Sequence, residues 1–432
     1  MIQLGEVADF EMGQAPPGTE CNMDGDGTVF VKAGEFSKLY PLEREWTTKP
    51  LKFGKHGDVF ICVVGATAGK LNLGIDCAIG RSVAAIRPKP ILETKFLYYQ
   101  LLPSVLKLRA SSAGSAQGVI SKKQLSDIRI TLPSISEQAE IVAEIEKQFS
   151  RLDEAVANLQ RVKANLKRYK ASVLKDAVEG RLVPTEAELA RREGRSFETG
   201  EQLLQLLLEV RRGRPKGKSK YKEPASPDAT GLGNVPDGWV WASVEQLVAH
   251  LTDGDHQAPP QTDSGVPFLV IGNVRGGAID LTDTRFVGEA YYNSLDPYRQ
   301  PKMGDLLYTL VGSYGIPVRV KTHEPFCIQR HIAILRPHGQ SPMDYLTIAM
   351  ESNEVFKQAT AVATGTAQMT VPLSGLRKIA IGLPPLVEQK RIFAEVDRRL
   401  SLVRGVEAEV DVNLKRAQAL RQATLHKAFA PS

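Results

Sequence analysis

The stretch Leu-Pro-Ser-Ile-Ser-Glu-Gln-Ala-Glu-Ile at 132–141 returns as Leu-Pro-Pro-Leu-Val-Glu-Gln-Lys-Arg-Ile at 383–392, an offset of 251 residues. At the same offset Gly114-Ser115-Ala116-Gln117 faces Gly365-Thr366-Ala367-Gln368, and Leu125 faces Leu376. Upstream the offset drifts to 247, as small loop insertions cause: Gly57-Asp58-Val59-Phe60 matches Gly304-Asp305-Leu306-Leu307, and Val64-Gly65 matches Val311-Gly312. Earlier still, Gln14-Ala15-Pro16-Pro17 matches Gln257-Ala258-Pro259-Pro260. Their collinear order makes the chain a tandem duplication, so any fold must be built twice.

Each repeat has two parts. The first is rich in Gly, Pro, Val and Ile, with continuous apolar runs at 59–64 and 306–311 suited to buried strands. Later strands are expected at 83–86 and 332–335, each closed by Arg-Pro, with short helices around 96–102 and 345–350. This part reads as a mixed α/β globule.

After the Leu-Pro stop the period changes. Apolar residues recur in threes and fours at Val142, Ile145, Phe149, Leu152, Val156, Leu159, Val162, Leu166, Tyr169 and Val173. The second repeat offers Phe393, Val396, Leu400, Val403, Val406, Val410, Leu414, Ala417, Leu420 and Leu425. That is the seam of a coiled coil. Ser134 or Ser136 can cap the first helix, with Glu137 in its opening turn. No Pro or Gly interrupts 135–179, and Gly405 is the one weak spot in the second helix. Some 45 residues make a rod of roughly 65 Å.

The predicted fold is therefore α+β: two mixed α/β globules separated by a long antiparallel two-helix coiled coil, related by an internal pseudo-twofold repeat. The first globule takes 1–133 and its helix 134–180. A connecting segment with short helices and a basic flexible linker takes 181–236, the second globule 237–383, and the second helix 384–432. Leu174 and Val178, or Leu402 and Phe429, lie near the seam's edge or at rod ends, available to a partner or to the core.

Composition narrows the function. With 42% hydrophobic residues the 432-residue chain can bury a sizeable core, and no run of about 18 apolar residues crosses a bilayer. The opening Met1-Ile2-Gln3-Leu4-Gly5-Glu6 lacks a secretory pattern, so a cytoplasmic location is expected, and the four cysteines read as ordinary buried thiols. Net charge is +6, but seven basic side chains fall within 211–222, which reads first as a solvated linker.

Catalytic constellations fail in turn. Gly65-Ala66-Thr67-Ala68-Gly69-Lys70 is one residue short of a phosphate loop and lacks the following Ser/Thr. His323, Cys327 and His331 have helical metal spacing, but Pro325 interrupts them in a β-like context. Asp296-Pro297-Tyr298 lacks the second proline with which amino-methyltransferases grip a flipped base. Duplicated chemistry leaves duplicated residues, and none of these recurs.

What recurs is small, polar and turn-forming. Read plainly, these are loop residues and stem arginines; read functionally, they are a nucleic-acid face, where small residues admit phosphates and Arg, Lys, Gln and Ser reach bases. The candidates are Lys70, Arg81, Ser115, Gln117, Lys122 and Lys123 in the first repeat. In the second they are Tyr314, Arg319, Lys321, Gln329, Arg330, Thr366 and Gln368.

Two unlike globules, each followed by LPxxxEQxxI and a long helix, resemble the specificity subunit of type I restriction–modification systems over essentially the whole chain. The marks are Pro236-Asp237-Gly238-Trp239, Gly-Asp at 57–58 and 304–305, Gly-(Ser/Thr)-Ala-Gln at 114–117 and 365–368, and Leu-Pro-x-x-x-Glu-Gln. The first repeat departs from this by lacking the Pro-x-Gly-Trp opening. The resemblance implies two target-recognition globules, each reading half of an asymmetric bipartite site in double-stranded DNA. It implies helices that set the spacing and dock two methyltransferase subunits, with translocase/endonuclease subunits joining for restriction. It implies no catalysis and no cofactor in this chain, S-adenosylmethionine, Mg and ATP belonging to the partners, and no membrane. The competing classes are a coiled-coil scaffold whose globules bind proteins, and a self-sufficient DNA-modifying enzyme.

Overall fold

Strand Val59–Cys62 is apolar throughout because both of its faces are covered. In the computed structural model, which describes residues 1–104, 119–213, 221–256, 259–275, 277–339 and 342–430, Val59 and Ile61 face one core while Phe60 and Cys62 face another. The period of two assigns alternate residues to opposite sides. Strand Leu306–Thr309 divides likewise, Leu306 and Tyr308 to one core and Leu307 to the other.

The chain forms two compact units, Met1–Val162 with the chain from Glu409 onward, and Lys163–Ala408. In unit 1 an antiparallel sheet runs Ala8–Met12, Val83–Pro88, Val59–Cys62, Leu71–Leu73. A second sheet runs Cys21–Asn22, Trp46–Thr47, Thr28–Val31, Cys77–Ile79, Phe53–Gly54, with Thr28–Val31 and Cys77–Ile79 parallel. Helix Thr94–Leu101 packs Phe96 and Leu97 onto Val59, Ile61 and Ile86. In unit 2 the order recurs: His250–Asp253, Ile332–Arg336, Leu306–Thr309, Pro317–Arg319 in one sheet. The other holds Gln261–Thr262, Arg285–Val287, Val266–Leu269 and Cys327–Ile328, the last pair parallel. Cys62, Cys77 and Cys327 are buried free thiols, and burial pushes their pKa up to about 11, 12 and 12.

The repeated motifs hold this scaffold. Asp58 is buried and takes two parallel 2.8 Å hydrogen bonds from Arg87, while its Oδ2 also accepts the Lys55 N–H at 2.9 Å. Asp305 does the same with Arg336 (2.7 Å) and the Lys302 N–H (2.8 Å). Gly-Asp and Arg-Pro are thus two ends of one clamp. The Gln of the Glu-Gln pair is a bracket: Gln138 donates to the carbonyls of Pro133 and Ile91 and accepts the Glu93 N–H, and Gln389 donates to Pro384 O.

The long helices are Ile135–Val178 and Leu386–Ala428, the second continuous through Gly405. Ser134 caps the first, exchanging hydrogen bonds with Glu137. In unit 1 they run antiparallel: Gln148 meets Thr424 at 3.1 Å and Asp153 meets Arg421 at 2.9 Å. In unit 2 Val173, Leu174 and Ala177 share a core with Ile392, Val396 and Leu400.

The expected seam needs correction on the second helix. Phe393, Val406 and Leu420 are exposed, and Ile392, Glu407 and Arg421 turn inward instead. Arg421 lies over the Phe149 ring at 4.3 Å, so an aliphatic stem with a paired head fills a seam position. On the first helix Val162 and Tyr169 are also more exposed than a seam requires. Leu174 belongs to the unit 2 core, Phe429 packs edge-on against Phe96 in unit 1, and Leu402 is 62% exposed.

The connecting segment carries short helices ahead of its basic run. Helices Glu186–Glu193 and Gly200–Arg212 each begin with a threonine capping box, and Leu203 and Leu207 pack into the unit 2 core. Arg211 is drawn inward, donating to the carbonyls of Glu245 (2.5 Å) and Val248 (2.7 Å), and Arg212 pairs with Glu223. The rest of the basic run, 214–220, lies outside the described residues.

Candidate nucleic-acid interface

One junction is built twice from the backbone. In unit 1 the Val63 N–H donates to Ser82 O (2.9 Å) and the Ile120 N–H to Val63 O (2.8 Å). In unit 2 the Leu310 N–H donates to His331 O (2.8 Å) and the Val371 N–H to Leu310 O (2.8 Å). Each junction gathers three segments at the outgoing end of the central strand: the turn after it, the residues before the late strand, and the approach to a short helix. Gly65 and Gly312 open the turns at φ of 73° and 65°, a left-handed conformation that glycine takes without steric cost.

Unit 1 brings Lys70, Arg81, Lys122 and Lys123 to this end. The Lys70 ammonium donates to Phe36 O at 2.6 Å, which ties its stem down. Arg81 is exposed just before Ser82; Lys122 and Lys123 are exposed in the first turn of helix Lys122–Ser126, capped by Ser121. Ser115 and Gln117 lie outside the described residues.

Unit 2 places Tyr314, Gln329, Arg330, Thr366 and Gln368 on or beside the segments of its junction. Tyr314 stacks on Phe356 (centroids 5.4 Å apart, planes 10° off parallel), and its hydroxyl reaches Thr360 Oγ1 at 3.0 Å. The Gln368 amide lies against the Gly312 turn, where a Cβ would stand 3.0 Å from Nε2. Gln329 and Arg330 edge a crevice of about 220 Å³ with Asp255, His256, Gln261, Phe268 and Arg285. Burial and the Arg330 charge hold the neighbouring His331 below its ordinary range.

Arg319 and Lys321 are not at that end. Arg319 pairs in register with Leu306, the first residue of the central strand, and Lys321 follows it. Burial pulls the Arg319 guanidinium below its ordinary range, against the opposing pull of Asp344 and Asp305. Sequence reasoning passed over Asp253, Asp255 and His256. The signal was the tetrapeptide Asp253-Gly254-Asp255-His256, dense in titratable groups at the end of a strand.

Residues 1–168 match the model of the type I restriction modification DNA specificity domain. The EcoDI specificity subunit of Escherichia coli is 24% identical over 442 residues, covering 99% of this chain and 87% of that one. Residues 1–168 carry that family's domain, and the chain as a whole is similar to specificity subunits of type I restriction–modification systems. The putative MjaX specificity subunit of Methanocaldococcus jannaschii is 32% identical over 161 residues, 36% of this chain and 37% of the relative's own length. A chain solved in work on complex assembly and conformational transition of the type I R-M system shares its fold, with a TM-score of 0.66 at 20% identity over 99% and 96% of the two chains. No helix among the described residues is long and apolar enough to cross a membrane.

Proposed function

We propose that each unit of this subunit reads one half of an asymmetric, two-part site in double-stranded DNA through its three-segment junction. The carrying observation is that the same backbone hydrogen bonds frame both junctions while side chains on them differ: Lys70, Ser82 and Lys122 in one stand where the other has Ile316, His331 and Leu373, with Arg81 and Arg330 the shared pair. Like frames with unlike side chains suit one binding mode and two sequences, because direct readout depends on which donors and acceptors reach the base edges. Linking two readers makes the second engagement intramolecular, so modest half-site affinities combine.

In the same proposal the paired long helices set the spacing between half-sites and dock two methyltransferase subunits, with translocase/endonuclease subunits completing a restriction complex. The exposed Leu402 and Val406 support docking on the second helix, since they lie off the seam. The subunit contributes recognition and no chemistry; S-adenosylmethionine, Mg and ATP serve the partners.

The test is a methylation map of DNA from cells expressing the chain with its methyltransferase partner. A motif of two unlike halves with a fixed gap is expected, absent when the chain is omitted. A single uninterrupted motif, or the same map without the chain, overturns the proposal.

A further inference from the structure

Unit 2 carries a polar network that unit 1 builds its matching sheet without. Asp253 pairs in register with Ala333, as Met12 pairs with Ala84 in unit 1, so a largely buried carboxylate stands where unit 1 has a thioether. By hydrogen-bond position rather than by the sequence match, Asp255 stands where unit 1 has Gln14: it follows Gly254, whose N–H donates to Ile332 O, as Gln14 follows Gly13, whose N–H donates to Val83 O. Asp253 meets His256 Nε2 at 2.8 Å, and Asp255 accepts the Tyr291 hydroxyl at 2.6 Å. Arg299 donates to Gly254 O at 2.7 Å and stands 3.7 Å from Asp253 and 3.9 Å from Asp255. Tyr291 and Arg299 come from 288–305, a stretch seven residues longer than its counterpart 48–58. Drawing charged groups out of water is costly. Unit 1 forms the same first sheet without the network, and closes its second sheet with strand Phe53–Gly54 where unit 2 has the longer stretch, so the shared first sheet does not account for the network.

What the network holds is the Gln329-Arg330 corner. The Arg330 N–H donates to Asp255 O (3.2 Å), the Gln329 N–H to Leu269 O (3.0 Å), and the Ile332 N–H to Gln329 O (3.1 Å). The Arg330 side chain is exposed; its Nε touches His331 Nε2 at 3.4 Å, and its terminal nitrogens take no partner among the described residues. The beginning of this side chain is fixed and its fork is free. The surroundings discriminate between ligands. Arg285 also lines the crevice, but the Asp255 carboxylate on its wall opposes a phosphate, and no lysine lines it among the described residues. A base edge instead offers acceptors to an arginine fork beside groups that Gln329 and Gln261 can meet.

We propose that Arg330 reads a guanine, through its O6 and N7, in the half-site of unit 2, and that Asp255 and Tyr291 are positioning residues that fix the corner presenting it. This rests on the DNA-reading function proposed above.

Methylation maps of the full chain with its methyltransferase partner test it, comparing wild type with Arg330→Ala, Arg330→Lys and Tyr291→Phe. Arg330→Ala and Arg330→Lys should each make one guanine of the motif degenerate, with a roughly 10- to 100-fold loss of discrimination there and no change elsewhere. Tyr291→Phe, which removes one hydroxyl, should relax the same position several-fold. Because the lysine variant keeps the charge, it still reports if the alanine variant fails to assemble. A uniform loss at every position of the motif, or a lysine variant equal to wild type, marks a backbone contact and overturns the inference alone. So does relaxation at a base other than guanine. A Tyr291→Phe map equal to wild type overturns the positioning role. A wild-type map with no two-part motif removes the parent reading as well.

Discussion

Glu137 and Glu388 hold the same place in the repeated motif and do different work. Glu137 is exposed and caps its helix with Ser134. Glu388 is fully buried, accepting the Glu186 N–H at 2.8 Å and the Trp239 indole N–H at 2.9 Å, while Glu186 pairs with Arg391 and Arg195 at 2.6 Å each. Burial pushes the Glu388 carboxyl above its ordinary range, and the two N–H donors only partly hold it back. A raised folded value means the native state binds the proton more tightly than the unfolded chain. The stability so gained is complete below the unfolded value of about 4.3 and is lost as pH rises through the folded value. Glu388→Gln has no such titration. The difference in Tm, wild type minus variant, should therefore fall as pH is raised from 4 toward neutrality and then level off. A thermal-unfolding series across that range checks it, and a rising difference would mean the carboxylate is the favoured form.

At the scale of elements, the clamp between the central and late strands recurs in full, and each carboxylate is almost completely buried while its arginine is partly exposed. Removing one partner leaves the other uncompensated, so Asp58→Ala and Asp305→Ala should each cost about 3 kcal/mol. Urea unfolding followed separately in the two units checks this; a loss in one unit alone would mean the clamps are not equivalent. The clamp also separates what the sequence makes legible from what it does not. The buried strands were readable because covering both faces demands unbroken apolar runs, and the long helices because their periodicity persists for more than 40 residues. The second helix's seam was misplaced by one residue at Phe393, Val406 and Leu420, since counting apolar residues passes over Arg421, whose stem and paired head pack inward. Gly-Asp and Arg-Pro were visible as marks, but their bond joins residues 29 and 31 apart and depends on strand register. The same dependence hid the Asp253 and Asp255 network, whose partners Tyr291 and Arg299 lie far along the chain. Lys70 and Arg330 were readable as basic residues beside turns; that Arg319 sits at the other end of its sheet follows only from its pairing with Leu306.

For the whole molecule, the proposal makes helix length a determinant of the DNA site. A heptad is the cleanest probe, because seven residues return the seam to almost the same face, about 20° away, whereas three or four would turn it aside. The stretch 156–162 carries none of the Gln148, Asp153 or Phe149 contacts, and those contacts with Thr424 and Arg421 put it opposite about 411–417. Deleting both stretches together shortens the two helices equally by about 10 Å at 1.5 Å per residue. DNA rises about 3.4 Å per base pair, so the permitted gap should shrink by about three base pairs. Both halves of the motif should stay the same, because neither junction is touched. Methylation mapping of the double-deletion variant reads the gap and the halves at once. An unchanged gap would separate spacing from helix length. Deleting 156–162 alone supplies the contrast: the seam loses its opposing heptad over unit 1, so the expected result is weakened assembly rather than a new gap. A shifted gap in the double deletion and none in the single one is therefore the signature of a pair of helices acting together as the spacer.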